Sequence, residues 1–386
     1  MDNLILTHLA DDPDKYYGAV VPPIFMNTLH VFDSVESHAA INIDERDDFV
    51  YGRVSNPTTR ILEDKVAALE HAKRALCFAS GMAAISCGIL SHCVSGDHII
   101  CLKSIYGCVK GFIDECLVPR FQMSVTYVSG DLQEIESAIR PNTSLILLES
   151  PCSNLFHVCD LRKIAAIAKQ HGIKTMIDNT YCTPIYQKPL DLGIDMVMHT
   201  ATKYFGGHSD CMGGILASND TKWMDRIFHV ERQYIGSIIG PMEAWLIIRG
   251  LRTLDVRLER HSRSAMAVAK YLERHPRVKR VFYPALPSSP QYELMKTQQS
   301  GSCGLLSFTI NGSLKEAETV ANRLKLFSKG VSWGGFESLA TMPYRTLLPE
   351  EAAWFGDGAE PGLIRLHVGL EGEEALLEDL ENALKL

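Results

Sequence analysis

One lysine stands among hydroxyl residues directly after an apolar run. Lys203 follows the apolar residues 194–198, and Thr200 and Thr202 precede it by three positions and by one. Burial at the end of a strand disfavours a charged ammonium, and the neutral amine that results is a nucleophile. The two threonine hydroxyls are suited to bind a phosphate. Although an isolated lysine is more often a surface residue, this segment predicts a reactive amine beside an anion-binding cradle.

An acidic residue ends the preceding apolar strand. Asp178 follows residues 175–177 and lies 25 positions before Lys203, about one strand–helix–strand step. The carboxyl ends of parallel strands meet at one sheet edge, so both side chains are expected there. A buried carboxylate needs a partner, and the protonated ring nitrogen of pyridoxal phosphate (PLP) is one. The lysine amine would bind the aldehyde of the same cofactor, whereas Asp178 by itself would equally suit a helix N-cap.

Two further patterns follow predicted strands. Gly81 and Met82 lie in a small turn between a strand and a helix, where backbone N–H groups face an anion. Tyr106 follows the next strand, where its ring would stack on a cofactor or its hydroxyl relay a proton. Each pattern is weak alone, but both place their residues at the same sheet edge as Lys203.

Alternating strand and helix patterns predict the scaffold of these residues. Between about residues 51 and 240 they favour an α/β unit with a mostly parallel sheet. Its predicted strands are residues 74–78, 98–102, 124–127, 144–148, 175–177 and 196–198. Residues 1–50, with Pro22-Pro23 and the acidic run from Asp44 to Asp48, predict an extended arm.

The second half of the chain predicts a smaller unit. A helical stretch over residues 241–275, which has no internal proline, leads into an α+β unit with strands at 278–282, 304–310 and 364–368. We therefore expect an arm over residues 1–50, a large domain over 51–245 and a C-terminal domain over 246–386.

Composition excludes several classes of function. The chain has 386 residues, is 46% apolar and carries a net charge of −8, which argues against a nucleic-acid or anionic-membrane surface. We expect no membrane span and no signal peptide. The eleven cysteines show no metal-ligand spacing, so we expect reduced thiols, no metal and a cytoplasmic location.

Six motifs occur in an order that resembles the Cys/Met-metabolism PLP enzymes, from about residue 17 to the C-terminus. They are Tyr51-Gly52-Arg53 with Asn56-Pro57-Thr58, Ser80-Gly81-Met82-Ala83, Asp178-Asn179-Thr180, Thr200 to Asp210, Arg249 to Leu254, and Gly334 to Leu339. The resemblance implies the PLP-dependent transferase fold of type I, which is aspartate aminotransferase-like. Its large domain has a mostly parallel seven-stranded sheet and is followed by a smaller α+β domain.

The resemblance also implies roles for individual residues. Lys203 would carry the cofactor and move the substrate proton, Asp178 would pair with the ring nitrogen, and Tyr106 would stack on the ring. The residues that would hold the phosphate are Gly81, Met82, Thr200 and Thr202.

Other implied roles concern the substrate and a second subunit. The arm over residues 1–50 would contribute to a neighbouring subunit, and Tyr51 and Arg53 would reach the phosphate there, so we expect a homotetramer built from dimers with shared active sites. Ser153 stands where an asparagine often contacts the cofactor hydroxyl. Arg365 would bind the substrate α-carboxylate, with Tyr51 nearby, because a guanidinium clamps a carboxylate bidentately.

Three features bear on which carbon–sulfur bond breaks. Ser332 and Trp333 resemble the cystathionine β-lyases, and Val331 lacks the acid that γ-specific enzymes often carry there. Ser153 is also compatible with β-lyases, whereas Cys108 resembles methionine γ-lyase.

We therefore expect β-elimination of an amino-acid thioether such as cystathionine, giving a thiol, pyruvate and ammonia. The alternatives are a γ-lyase, a γ-replacement synthase, and a non-catalytic regulator with a PLP fold. In the expected β-lyase, Trp333 and Ser332 would border the side chain of the substrate.

Overall fold

The computed structural model describes residues 2–41, 48–356 and 358–385. Its strands are β1 (Arg74–Phe78), β2 (His98–Leu102), β3 (Ser124–Val128), β4 (Thr143–Glu149), β5 (Lys174–Asp178), β6 (Met196–Thr200), β7 (Gly214–Ser218), β8 (Val278–Phe282), β9 (Leu305–Ile310), β10 (Ser328–Lys329), β11 (Leu339–Thr341) and β12 (Ile364–His367). Its α-helices are α1 (Asp2–His8), α2 (Val35–Ala39), α3 (Pro57–Leu69), α4 (Gly81–His92), α5 (Gly107–Phe112), α6 (Val118–Phe121), α7 (Leu132–Ser137), α8 (Leu161–His171), α9 (Thr183–Tyr186), α10 (Thr221–Arg226), α11 (Gln233–Ile235), α12 (Pro241–Leu251), α13 (Leu254–Arg274), α14 (Tyr292–Gln298), α15 (Leu314–Arg323), α16 (Pro349–Phe355) and α17 (Glu373–Leu384).

The large sheet has seven strands in the order β1-β7-β6-β5-β4-β2-β3. Only β7 runs antiparallel to its neighbours, so the sheet is mostly parallel, as the sequence predicts. The six strands predicted from the sequence are present with nearly the predicted bounds. The strand β7 was missed, because it begins at a glycine and ends in the small residues Ala217 and Ser218, so it has few of the β-branched and aromatic residues that mark a strand.

The parallel strands bring distant parts of the chain to one edge. Each of β2, β4, β5 and β6 ends at this edge. Asp178 is the last residue of β5, and the loops after β2, β4 and β6 carry Tyr106, Ser153 and Lys203. Strand β1 ends there too and leads directly into α4. The fold therefore gathers the residues singled out above, since ligands of such sheets bind at the carboxyl ends of the strands.

The smaller sheet has five strands in the order β10-β11-β12-β9-β8. The predicted strands β8, β9 and β12 form most of it, and the short strands β10 and β11 extend its edge. The strand β12 pairs with both β9 and β11, so it lies inside the sheet. This position fixes the side chains of β12 that face the large domain.

The predicted continuous helix over residues 241–275 is wrong, because it is interrupted between α12 and α13. At the end of α12 the carbonyl of Gly250 accepts a hydrogen bond of 2.7 Å from the guanidinium of Arg257 and another of 3.3 Å from the Thr253 hydroxyl. These side chains bond a carbonyl that the backbone N–H groups of a further helical turn would otherwise bond. The boundary predicted after residue 245 falls inside α12.

The N-terminal segment begins as a packed helix, in contrast to the extended conformation predicted for it. Leu6 of α1 is 2% exposed, and the buried Lys65 of α3 donates to the carbonyl of Ile5 and pairs with Asp11 at 3.2 Å. Residues 44–47 of the acidic run lie outside the described residues. That this segment contributes to a neighbouring subunit stays a prediction.

Two kinds of feature are absent from the described residues. None of the helices described is long and apolar enough to cross a membrane. Within the same ranges, histidine, cysteine and acidic side chains form no cluster that would hold a metal ion.

Candidate active site

A cavity of about 410 Å³ lies at the carboxyl edge of the large sheet, against the smaller domain. Most of the residues predicted for the site line it. They are Gly81, Met82, Tyr106, Ser153, Asp178, Thr200, Thr202, Lys203, Ser332, Trp333 and Arg365. Positions that are far apart in sequence thus form a single pocket.

Lys203 lies in a tight turn after β6. Its backbone N–H donates to the carbonyl of Thr200, and its own carbonyl accepts from Gly207, so the turn is held at both ends. Its Nζ donates to the Ser332 hydroxyl at 2.6 Å and lies 5.4 Å from the centre of the Trp333 ring. Burial, with the nearby guanidinium of Arg365, lowers the pKa of Lys203 to about 8. A neutral amine is therefore accessible near neutral pH.

Asp178 is 8% exposed and ends β5 on the floor of the cavity. Its carboxylate accepts hydrogen bonds from the backbone N–H of Thr180, at 2.9 Å, and from the Thr180 hydroxyl. That hydroxyl in turn accepts from the backbone N–H of Thr200 at 2.8 Å, which joins β5 to β6. Burial raises the pKa of Asp178. A cationic ligand group would compensate for this burial.

The opposite end of the cavity has the features of an anion site. The helix α4 begins at Gly81 with Ser80 as N-cap, whose hydroxyl accepts from Ala83, so the first N–H groups of the helix face the cavity. A Cβ atom at position 81 would lie 2.1 Å from the Thr200 hydroxyl, so only glycine allows this close approach. Thr202 closes the same region, its hydroxyl bonding to the backbone of Gly213.

A buried carboxyl that the sequence reasoning missed holds the other wall together. Glu149, 7% exposed, ends β4 and is the register partner of Asp178 in the sheet. It accepts from the backbone N–H of Tyr106 at 2.7 Å and from the Ser153 hydroxyl at 2.5 Å. Burial, reinforced by Asp178, raises the pKa of Glu149 to about 8. Its position at a strand end, as for Asp178, was the signal that would have found it.

Tyr106 is the N-terminal flanking residue of α5 and is 48% exposed, with its ring at the cavity. A hydrogen bond with the exposed Cys108 and partial burial raise the pKa of Tyr106 to about 12. The hydroxyl therefore keeps its proton throughout the neutral range.

Arg365 approaches from β12 of the smaller domain. Its guanidinium donates to the Val331 carbonyl at 2.7 Å and to the Asn154 side chain at 3.1 Å. These two contacts orient the guanidinium at the cavity wall, on the same side as Ser332 and Trp333.

Tyr51 and Arg53 do not line this cavity. Tyr51 is 45% exposed, and the guanidinium of Arg53 donates to the carbonyl of Gln233 at 2.8 Å. The role predicted for them requires a second subunit, so it stays a prediction.

The sequence matches the Cys/Met metabolism PLP-dependent enzyme family over residues 4–385. The chain belongs to this family. Members of the family depend on PLP, and the structure has the α/β architecture of the type I fold.

Individual relatives cover almost the whole chain. An L-methionine gamma-lyase of Treponema denticola is 39% identical over 95% of this chain and 93% of its own length. An L-methionine gamma-lyase of Pseudomonas putida is 38% identical over 98% of this chain and 96% of its own length. A human cystathionine gamma-lyase is 39% identical over 98% of this chain and 92% of its own length.

The residues present fit the cofactor of the family. The amine of Lys203, with its lowered pKa, suits the aldehyde, and the buried Asp178 suits a protonated ring nitrogen. The close approach of Gly81 to Thr200 leaves the start of α4 open to a phosphate. The assignment of each residue to its part of PLP remains a prediction.

Proposed function

We propose that this protein is a PLP-dependent carbon–sulfur lyase that breaks the Cγ–S bond of amino-acid thioethers such as methionine or cystathionine. The observation that carries the proposal is one cavity in which the Lys203 amine, the Asp178 carboxylate and the Arg365 guanidinium meet. The relatives named above, all γ-lyases, support the position of the bond. They favour γ-elimination over the β-elimination expected from the sequence.

One position in the chain also supports the γ reading. Cys108, which resembles methionine γ-lyase, lies two residues after the cavity residue Tyr106, in the first turn of α5, and is exposed. Two of the features that favoured a β-lyase, Val331 and Trp333, lie on the opposite wall, whereas Ser153 bonds to Glu149 on the same wall as Tyr106. Val331 is 82% exposed and Trp333 packs on Tyr204, with ring centres 5.4 Å apart. β-Elimination therefore remains the second candidate, carried by Trp333.

In the proposed reaction Arg365 binds the α-carboxylate of the substrate and so fixes the α-carbon near Lys203. When bound, PLP supplies a ring that withdraws electrons from the bonds at the α-carbon. The Nζ of Lys203 would take the α-proton, pass it on, and then take a proton from the β-carbon, because the Cγ–S bond breaks only with electrons from a Cβ–H bond. With a pKa of about 8 it can both accept and return a proton near neutral pH. Asp178 keeps the ring nitrogen protonated. The Tyr106 hydroxyl, whose pKa is about 12, donates a proton to the departing sulfur.

The keto acid released from cystathionine tests the position of the bond. γ-Elimination gives 2-oxobutyrate, cysteine and ammonia, whereas β-elimination gives pyruvate, homocysteine and ammonia. We expect 2-oxobutyrate, and release of pyruvate alone would refute the γ assignment. Lys203→Ala is the control, since it removes the amine. Cofactor binding without turnover of any thioether would instead favour the non-catalytic regulator.

We propose in addition that the active sites are shared between subunits. Tyr51 and Arg53 lie outside their own cavity on an exposed part of the chain, which suits a contact with the phosphate site of a neighbour. Mixing inactive Arg53→Ala subunits with inactive Lys203→Ala subunits should restore activity, because some sites then combine two intact halves. Absence of recovery in a mixture with proven subunit exchange would contradict a shared site.

A further inference from the structure

The loop of residues 331–335, here called the cavity loop, is held at both ends by one strand. At its start, the carbonyl of Val331 accepts from the Arg365 guanidinium at 2.7 Å. At its end, the Nε2 atom of His367 lies 3.1 Å from the backbone nitrogen of Gly334 and 3.1 Å from the carbonyl oxygen of Gly335. Arg365 and His367 are two residues apart on β12, so their side chains point to the same face.

His367 is a buried side chain whose contacts all belong to this region. It is 1% exposed, and its ring centre lies 5.2 Å from that of His261 and 6.0 Å from that of Tyr204. Burial lowers the pKa of His367 to about 4. The neutral ring carries one proton, so Nε2 either accepts from the backbone N–H of Gly334 or, in the other tautomer, donates to the carbonyl of Gly335, and either bond holds the loop.

The cavity loop lies directly against the backbone of Lys203. Gly334 has a φ of +91°, and a Cβ atom there would lie 2.8 Å from the carbonyl carbon of Lys203. Between its two held ends the loop presents Ser332 to the Lys203 amine and Trp333 to the cavity. A shift at Gly334 would therefore move the two side chains that border the substrate.

We propose that His367 is a positioning residue that sets substrate side-chain selectivity by fixing the end of the cavity loop. The selectivity part rests on the proposed lyase function. With the loop fixed, Trp333 forms a wall at a defined distance from Lys203. With His367 removed, Arg365 still binds the carboxylate, but the wall no longer discriminates between substrate side chains of different length.

Hydrogen–deuterium exchange of the cavity loop tests the positioning without any substrate. In His367→Phe the peptide containing residues 331–335 should exchange about fivefold faster, the effect expected for loss of one hydrogen bond. His261→Phe is the matched control, because His261 lies in the same buried cluster but bonds to the carbonyl of Val368 and not to the loop. His367→Gln keeps a hydrogen-bond acceptor and should restore slow exchange.

A second measurement compares kcat/KM for methionine with kcat/KM for cystathionine. The ratio should change about fivefold in His367→Phe and remain at the wild-type value in His261→Phe. Unchanged loop exchange in His367→Phe, or an equal effect of His261→Phe, would overturn the proposal. Failure of both His367→Phe and His367→Leu to fold, while His261→Phe folds, would assign His367 to the core and overturn it too. The exchange result stands even if neither thioether is a substrate, so the two proposals fail separately.

Discussion

The amine of Lys203 donates a hydrogen bond of 2.6 Å to the hydroxyl of Ser332, a residue 129 positions later in the chain. The contact joins the turn after β6 to the cavity loop, and so joins the large domain to the smaller one at the reactive atom. It also adds an acceptor to an amine that burial would otherwise favour as neutral. The protonation of Lys203 is thus set from both sides of the cavity.

The attachment of PLP to the apoenzyme should depend on pH through Lys203. Only the neutral amine reacts with an aldehyde, so the attachment rate should rise as the pH increases through about 8 and then level off. In Ser332→Ala the ammonium loses an acceptor, its pKa falls, and the rise should move to lower pH. The measurement is the growth of the visible absorption band after PLP is mixed with apoenzyme. If the attachment rate depends on pH in the same way in Ser332→Ala and in the wild type, the Ser332 hydroxyl does not affect the pKa of Lys203.

Asp178→Asn should retain PLP but lose most of the activity. An amide has the shape of the carboxylate but cannot stabilise a protonated ring nitrogen. We expect kcat to fall about 100-fold or more, the cost of losing one group that stabilises developing charge. Thr180→Val removes the hydroxyl's hydrogen bonds to Asp178 and from the backbone of Thr200 but keeps the charge, so it should cost less, on the order of 10-fold. Equal losses in the two variants would argue against an ionic role.

Glu149→Gln should change how the stability of the apoenzyme depends on pH. The pKa of Glu149 is raised from 4.5 to about 8, so the folded state keeps a proton that the unfolded state loses in this interval. Wild-type stability therefore declines as the pH rises from 4.5 to 8, and the variant lacks this decline. Relative to wild type, Glu149→Gln should gain about 1 kcal/mol or more between pH 5 and pH 8 in denaturant unfolding.

A matched control for Glu149 is Glu134→Gln. The backbone N–H of Ser129 lowers the pKa of Glu134, which is the opposite direction. The control should therefore gain no stability relative to wild type over the same interval. A gain in both variants would point to the overall charge of the protein as its cause.

Arg365→Lys should weaken substrate binding more than turnover. A lysine keeps the charge but not the two parallel donors that match a carboxylate. We expect KM to rise about 10-fold or more, with a smaller change in kcat. The control is Arg345→Lys, which alters an ion pair with Glu318 outside the cavity lining. A fall in kcat at constant KM would contradict a role in carboxylate binding.

The sequence predicted the parallel sheet and most of the cavity lining because both depend on local signals. Apolar runs marked the strands, and polar residues at strand ends, such as Asp178 and Lys203, marked the edge where ligands bind. The strand β7 was missed because it begins at a glycine and ends in the small residues Ala217 and Ser218, which give a weak strand signal. The break at Thr253 depends on the Arg257 side chain, which reaches back to Thr253 and Gly250, a contact that apolar periodicity does not reveal.

The carbon–sulfur bond that breaks was harder to predict than the identity of the cofactor, for a physical reason. The PLP site depends on a few side chains with fixed chemistry, whereas the bond that breaks depends on the shape of the opposite wall. Val331, Ser332 and Trp333, with Ser153, suggested a β-lyase, but the position of Trp333 depends on Gly334 and His367, which hold the loop from behind. Glu149 ends a strand as Asp178 does, but its partners, Tyr106 and Ser153, come from different loops, so its role depends on contacts that the sequence pattern does not show.

The absence of a side chain at Gly334 limits how this enzyme can diverge. Because the loop backbone rests on the backbone of Lys203, position 334 cannot accept a larger residue without displacing the lysine. Random mutation or directed evolution of the wall is therefore confined to positions 331–333, where side chains can vary without moving the reactive amine. New substrate ranges should arise there first, and lineages that replace Gly334 should lose activity before they gain a new one.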